Sequence, residues 1–436
     1  MSESVLPSSV SEEGVASLSS TEEADLPEAL RMPTLAKPLG WRLLLSLANL
    51  VILMALIPTF GILLPNQLAA LDAVHKATLL ALISLAGSIP ALLGNLLGGA
   101  LSDRTTSRFG RRRPWIIAAG LLAALALVIL ALAPSILIIA LGVVLLQFAA
   151  NTAFSCVTAI VPDQVPVTQR ATVSAFASFA LPLGAIIGIG VIAQAFNGGR
   201  GAYYVLAGAL AVVLVVFVLL VRDPVLPRDS VPAFNGKAFL ASFVRPLKVR
   251  DFSLVLVGRV FVMFGYYIVV NYLLYYLEDS VHSTATQATA QVGIFQVLLT
   301  VVMVTSTLIS GVVSDRLQRR KPFVIVASAV MALSLIILAF FPVLPLVFIS
   351  AAVLGIGFGV FLSGDLALQT QVLPTRRDNA KDLAILNLGS LLPQILVPLV
   401  VGITLTLLNS YPATFLVGAV LALLGAALII PVKLVR

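Results

Sequence analysis

The chain has 436 residues, of which 60% are hydrophobic and only 11% charged, with a mean hydropathy of +1.09. That composition describes a polytopic membrane protein whose solvent is mostly lipid. A net charge of +8 and a pI of 9.8 would suit a nucleic-acid binder, but the basic residues sit in short segments between apolar runs. They read as topology determinants beside anionic headgroups and imply no nucleic-acid partner.

In chain order, the first 36 residues are rich in Ser, Glu and Pro and lack the basic-then-apolar order of a signal peptide, so residues 1–40 are expected to form a disordered cytosolic tail. A spanning helix needs about 20 mainly apolar residues. Twelve segments qualify: 41–64, 77–101, 115–133, 136–161, 171–196, 202–221, 253–276, 290–313, 323–341, 344–372, 383–407 and 412–433. An even number puts both termini on one side. With residue 1 placed inside, 24 of the 27 Lys and Arg fall on inner tails, loops and helix ends, Lys76 and Arg200 fall outside, and Arg259 lies within a span. The positive-inside rule therefore predicts cytoplasmic termini in the plasma or inner membrane of a cell.

Segment 222–252 is the longest inner loop and divides the spans into bundles 41–221 and 253–436. The fold class expected is all-α, with two pseudo-symmetric six-helix halves.

Cys156 is the single cysteine and His75 and His282 are the only histidines, too few for a disulfide framework or a metal centre. No P-loop, GxSxG or HExxH spacing occurs. No cofactor and no enzymatic activity are expected, and coupling energy, if used, is expected from an ion gradient.

The halves resemble each other. Gly99-x-x-x-Asp103-Arg104 follows span two and Gly311-x-x-x-Asp315-Arg316 follows span eight, closing with Arg113-Pro114 and Lys321-Pro322. Pro182 and Pro393 stand at similar depth in spans five and eleven. Gly-x-x-x-Asp-Arg followed by Gly110-Arg111-Arg112, between spans two and three of a six-plus-six protein, resembles the signature loop of the major facilitator superfamily. The five residues Thr105–Phe109 inside this loop, together with VLPTRRDNAKDLAILNLGSLLPQ, resemble the sucrose–proton symporters and the glycoside–pentoside–hexuronide carriers.

The resemblance implies a gate. Asp103 is expected to face the positive N-terminal end of span eleven near Leu383 and to latch the halves when the inner mouth closes, and Asp315 is expected to meet the start of span five near Ala171. Arg104 and Arg112, with Arg316 as the repeat's equivalent, would orient or screen these carboxylates. Such a contact is worth about 0.3–2 kcal/mol, small enough to break in every cycle.

The resemblance also implies that spans one, four, seven and ten line a central cavity. In span four, Gln147, Asn151, Ser155 and Thr158 share one helical face; in span seven, Tyr267, Asn271 and Tyr275 recur every four residues, flanked by Tyr272 and Tyr276. Amides and phenols suit a neutral polyhydroxylated ligand. Tyr275 and Tyr276 also fit an interfacial aromatic belt, and Asn49, Gln296, Asn387 and Gln394 either extend the site or serve packing.

Two ionisable residues remain inside spans, Arg259 and Asp365, both in the inner half by residue count, where they could meet. Arg259 could instead snorkel to the headgroups. Asp365 is the membrane carboxylate available to carry a proton, with Gln369 one turn away. One departure stands out: the symporters resembled carry an arginine and an aspartate near the inner end of span four, whereas here Thr158 stands where the arginine is expected and Asp163 follows Pro162.

The expected function is secondary active transport, with proton- or sodium-coupled uptake of a sugar or glycoside by a protein that works as a monomer in the lipid bilayer. The alternatives are proton-linked export of amphipathic organic compounds and a non-transporting sensor.

Overall fold

The computed structural model describes residues 33–166, 169, 173, 176–177, 179–227, 246–317, 321–371, 379–408 and 410–432; the side chains of Asp315, Arg316, Gln369 and Asn387 lie outside the described set. The described residues are helical, with no strand among them. Numbered in chain order, the helices are α1 (Leu39–Leu71), α2 (Lys76–Ser102), α3 (Arg113–Leu132), α4 (Ile136–Gln164), α5 (Ala180–Ala193) and α6 (Gly201–Leu220). The second six are α7 (Arg250–Asp279), α8 (Ala285–Leu317), α9 (Lys321–Phe340), α10 (Leu344–Gln371), α11 (Asn379–Leu408) and α12 (Tyr411–Ile429). Ten are long and apolar enough to cross a membrane, and two shorter apolar stretches, Ala180–Ala193 in α5 and Leu392–Leu408 in α11, complete the twelve.

Long uncharged runs form helices because a backbone in lipid must satisfy its own hydrogen bonds. Their starts are marked locally. Pro114 and Pro412 occupy first-turn positions where no N–H is needed, and Ser410 Oγ accepts the N–H of Ala413 at 3.3 Å. Pro58 removes an N–H inside α1, and the next five residues, Thr59–Leu63, widen into a π-helical turn. Ile186–Ala193 of α5 does the same, so two widened helices cross where Gly61 faces Ile189 and Gly188 faces Pro58.

Helix packing repeats between the halves. α2 and α3 pack on α4 as α8 and α9 pack on α10, and α6 packs on α1 and α3 as α12 packs on α7 and α9. Small residues set the approach: a Cβ at Gly94 would lie 2.3 Å from Phe148 O, and one at Gly359 would lie 2.4 Å from Met303 O. The same seams are bonded, Thr152 Oγ1 donating to Gly94 O at 3.2 Å and Thr307 Oγ1 to Gly359 O at 3.1 Å. Between halves, α2 packs on α11 and α5 on α8. Successive helices alternate in direction, so the 103–112 loop lies on one face, called the loop face below. Lys76 and Asp279 lie on the opposite face.

Candidate functional site

A central cavity of about 320 Å3 lies between the halves. That volume is at the lower end of the roughly 300–1,000 Å3 typical of small-molecule sites. Its polar wall holds Gln147 and Asn151 from α4, Tyr267 and Asn271 from α7, Gln296 from α8 and Gln394 from α11. Its apolar wall includes Leu53, Phe60, Met263, Met303, Phe358 and Leu362. Helices α2, α5, α8 and α11 therefore line it in addition to the four expected ones, being the helices that pack between the halves, α2 on α11 and α5 on α8.

The polar groups are preorganised. Asn151 Nδ2 donates to Gln147 Oε1 at 3.0 Å and to Gln147 O at 2.8 Å. Gln394 Nε2 donates to Tyr267 Oη at 2.7 Å, and Gln296 Nε2 to Thr300 Oγ1 at 3.2 Å. Tyr266, which periodicity did not single out, stacks on Phe358 with ring centroids 4.0 Å apart and meets Tyr267 edge-on at 5.3 Å.

Other expectations change. Ser155 and Thr158 are absent from the cavity wall: Ser155 turns toward Gly99 of α2, and Thr158 is exposed. They share the face of Gln147 but lie about 12 and 16 Å further along the axis, toward the loop face and beyond the wall of this cavity. Asn49 is buried and donates to Leu45 O at 3.0 Å, a local bond away from the cavity. Tyr275 and Tyr276 are not an interfacial belt. Both are fully buried, their hydroxyls donating to Pro65 O at 2.9 Å and Leu338 O at 2.7 Å, since neighbouring helices offer carbonyls before the headgroups do.

At the loop-face end of the cavity, Arg259 does not snorkel. Its NH1 lies 2.6 Å from Asp365 Oδ2, with both residues buried. Gly389 of α11 makes room for it, since a Cβ there would lie 3.0 Å from Arg259 Cδ. Arg259 itself lines the cavity.

The signature loop builds a second charged centre. Arg112, 3% exposed, donates through Nε to Asp163 Oδ2 at 2.5 Å, through NH1 to Ser102 Oγ at 2.8 Å and through NH2 to Asp103 Oδ1 at 2.6 Å. Arg111 NH2 reaches the same Asp163 oxygen at 2.6 Å. Burial disfavours the Arg112 charge, but Asp163 and Asp103 outweigh it and push its pKa up. The partner described for Asp103 is thus Arg112 within its own half. The start of span five near Ala171, which Asp315 was expected to meet, the side chains at the start of span eleven near Leu383, which Asp103 was expected to face, and the side chains of Asp315, Arg316 and Gln369 lie outside the described residues. The role of Asp163 and of Asp223, which accepts the backbone N–H of Arg112, was missed; the available signal was two acids placed by topology on the most basic face.

The opposite mouth is closed by bonds across the halves. Lys76 Nζ lies 2.6 Å from Glu278 Oε2 and 2.8 Å from Asp279 Oδ1, above the Tyr275 ring at 4.9 Å. Within the second half, Tyr411 Oη donates to the other Asp279 oxygen at 2.9 Å and holds that carboxylate in place. Asn66 Nδ2 donates to Thr289 Oγ1 at 3.1 Å and Gln194 Nε2 to Thr289 O at 2.7 Å. Lys76, expected in a loop, is the first residue of α2 and is largely buried by its two carboxylates.

A cavity between two repeated six-helix units, closed at one mouth, is the geometry of a carrier, and the profile of the Major Facilitator Superfamily matches residues 42–304 and 255–435. The chain belongs to the Major Facilitator Superfamily. A bacterial homologue of the human lysosomal transporter Spinster, solved inward-facing and unoccupied, has the same fold: TM-score 0.69 at 16% identity, over 91% of this chain and 99% of that one. A substituted form of the nucleoside transporter NupG gives 0.65 at 16% identity, over 89% and 99%. No curated protein sequence matches the chain. As a member of this superfamily the protein is a multi-pass membrane transporter of the secondary type, acting on a small molecule, and not an enzyme.

Proposed function

We propose that this superfamily member is a proton-coupled carrier of a neutral solute with a hydroxyl-rich end and an apolar end, a sugar or, better, a glycoside. The observation that carries the reading is a cavity with an amide-and-phenol wall and an apolar wall, lined also by Arg259, which is paired with the buried Asp365. Asn151, Gln147, Tyr267, Asn271 and Gln394 would bind hydroxyls. Protonation of Asp365 would release Arg259, which lines the cavity, and so change what the solute meets. The likeness to sucrose–proton symporters rests on the signature loop. Their span-four charge pair is not reproduced here, where Asp163 is engaged by Arg111 and Arg112, so coupling is assigned to the second half. The weight of Lys and Arg on the loop face makes that face cytoplasmic in this reading, in a cell membrane.

The apolar wall also favours a second reading, proton-linked export of amphipathic organic compounds. Purified protein in proteoliposomes separates the two. Uptake of radiolabelled sucrose and of a phenyl glucoside is measured with an inward proton gradient and after its collapse by a protonophore. Gradient-driven accumulation of either supports the first reading. Gradient-driven expulsion of an amphipathic dye with no sugar uptake supports the second, and sodium dependence without proton dependence would reassign the ion.

A further inference from the structure

We propose that Asp223 is a positioning residue for gating, tying the first residues of the segment between the halves to the loop that carries Arg112. Asp223 lies three residues beyond the end of α6 and is 7% exposed. One carboxylate oxygen, Oδ2, accepts the backbone N–H of Arg112 and, at 3.1 Å, that of Arg113. These are the first N–H groups of α3, which no helical carbonyl can satisfy and whose dipole favours an anion.

The loop is shaped around this carboxylate. Gly110 has φ +105°, and a Cβ there would lie 2.5 Å from Asp223 Oδ2 and 2.6 Å from Asp223 Cβ. Only glycine both adopts that backbone and lets the loop close over the acid. Arg112 is therefore held at two ends by different acids, its backbone by Asp223 and its guanidinium by Asp103 and Asp163. Asp223 sets where the guanidinium stands, and with it the orientation of Asp103. Any movement of the α6 end must pull on the loop through this bond, which links the inter-half connection to the gate. The inference rests on the gating role of Asp103, and its test separates the two.

The full-length protein carries Cys156→Ser and a reporter, Ala91→Cys, on the cavity wall. In detergent, where both mouths are reachable, the rate of reaction with a water-soluble maleimide is measured alongside the thermal unfolding midpoint. Asp223→Asn and Gly110→Ala should each raise the reporter's rate about ten-fold, as expected for losing a hydrogen bond to a charged acceptor. Asp223→Asn should add nothing to Asp103→Asn, because both act through one loop. A lowered unfolding midpoint with an unchanged reporter rate would reduce Asp223 to a helix cap and overturn the proposal, as would full additivity with Asp103→Asn. A rate shift with Asp223→Asn but none with Asp103→Asn would retire the Asp103 latch and leave Asp223 acting through Arg112 and Asp163.

Discussion

Arg259 of α7 and Asp365 of α10 are joined at 2.6 Å with side chains 9% and 5% exposed, nine residues from the start of one helix and six from the end of the other. Removing one partner of such a pair costs about 3–5 kcal/mol, because the other charge stays buried. Asp365→Asn should abolish gradient-driven accumulation and spare exchange of solute between equal pools. The double variant Arg259→Gln/Asp365→Asn should regain the lost thermal stability and still fail to accumulate. Accumulation by Asp365→Asn would remove this carboxylate from coupling; equal loss of exchange would make it a binding or folding residue.

Asp103 is the exposed member of the Arg112 cluster, 53% open to solvent at its side chain. Asp103→Asn keeps its shape and removes its charge, so folding should hold while turnover slows and a cavity cysteine becomes more reactive from the loop face. Unchanged turnover and reactivity would leave the loop a topology signal alone.

Lys76 bridges the halves on the opposite face through two carboxylates. Asp279 is half-open to solvent and its share is discounted for screening, so the latch is worth about 1–3 kcal/mol through Glu278. Lys76→Met should open this mouth, raising the reactivity of a cavity cysteine from that face. A variant with unaltered reactivity would show that the Thr289 bonds close it unaided.

Tyr272 is 1% exposed and its hydroxyl has no hydrogen-bond partner among the described residues, whereas Tyr275 donates to Pro65 across the halves. Tyr272→Phe should leave the unfolding midpoint unchanged or raise it, while Tyr275→Phe should cost about 1 kcal/mol. A large loss for Tyr272→Phe would reveal a bound water or solute at that phenol.

The proposed orientation is read by single cysteines at Arg200, His282, Arg111 and Lys321 in the Cys156→Ser background. An impermeant thiol reagent on intact cells should label 200 and 282 and spare 111 and 321. Labelling of 111 would reverse the orientation.

The sequence alone determined the helices, their number and the repeat, because a chain in lipid must close every backbone hydrogen bond within a helix and a run of about 20 apolar residues leaves it no alternative. It also showed that Arg259 and Asp365 lie at similar depth, since depth is residue count times rise. Periodicity placed Ser155 and Thr158 on the face of Gln147 but could not say how deep the cavity reaches. Nor could it show that Tyr266 would stack on Phe358, that Lys76 would be covered by Glu278 and Asp279, or that Asp223 would sit under Gly110. Those contacts join residues 92 to 203 positions apart in places that depend on how the helices cross, and only packing sets crossing angle and rotation.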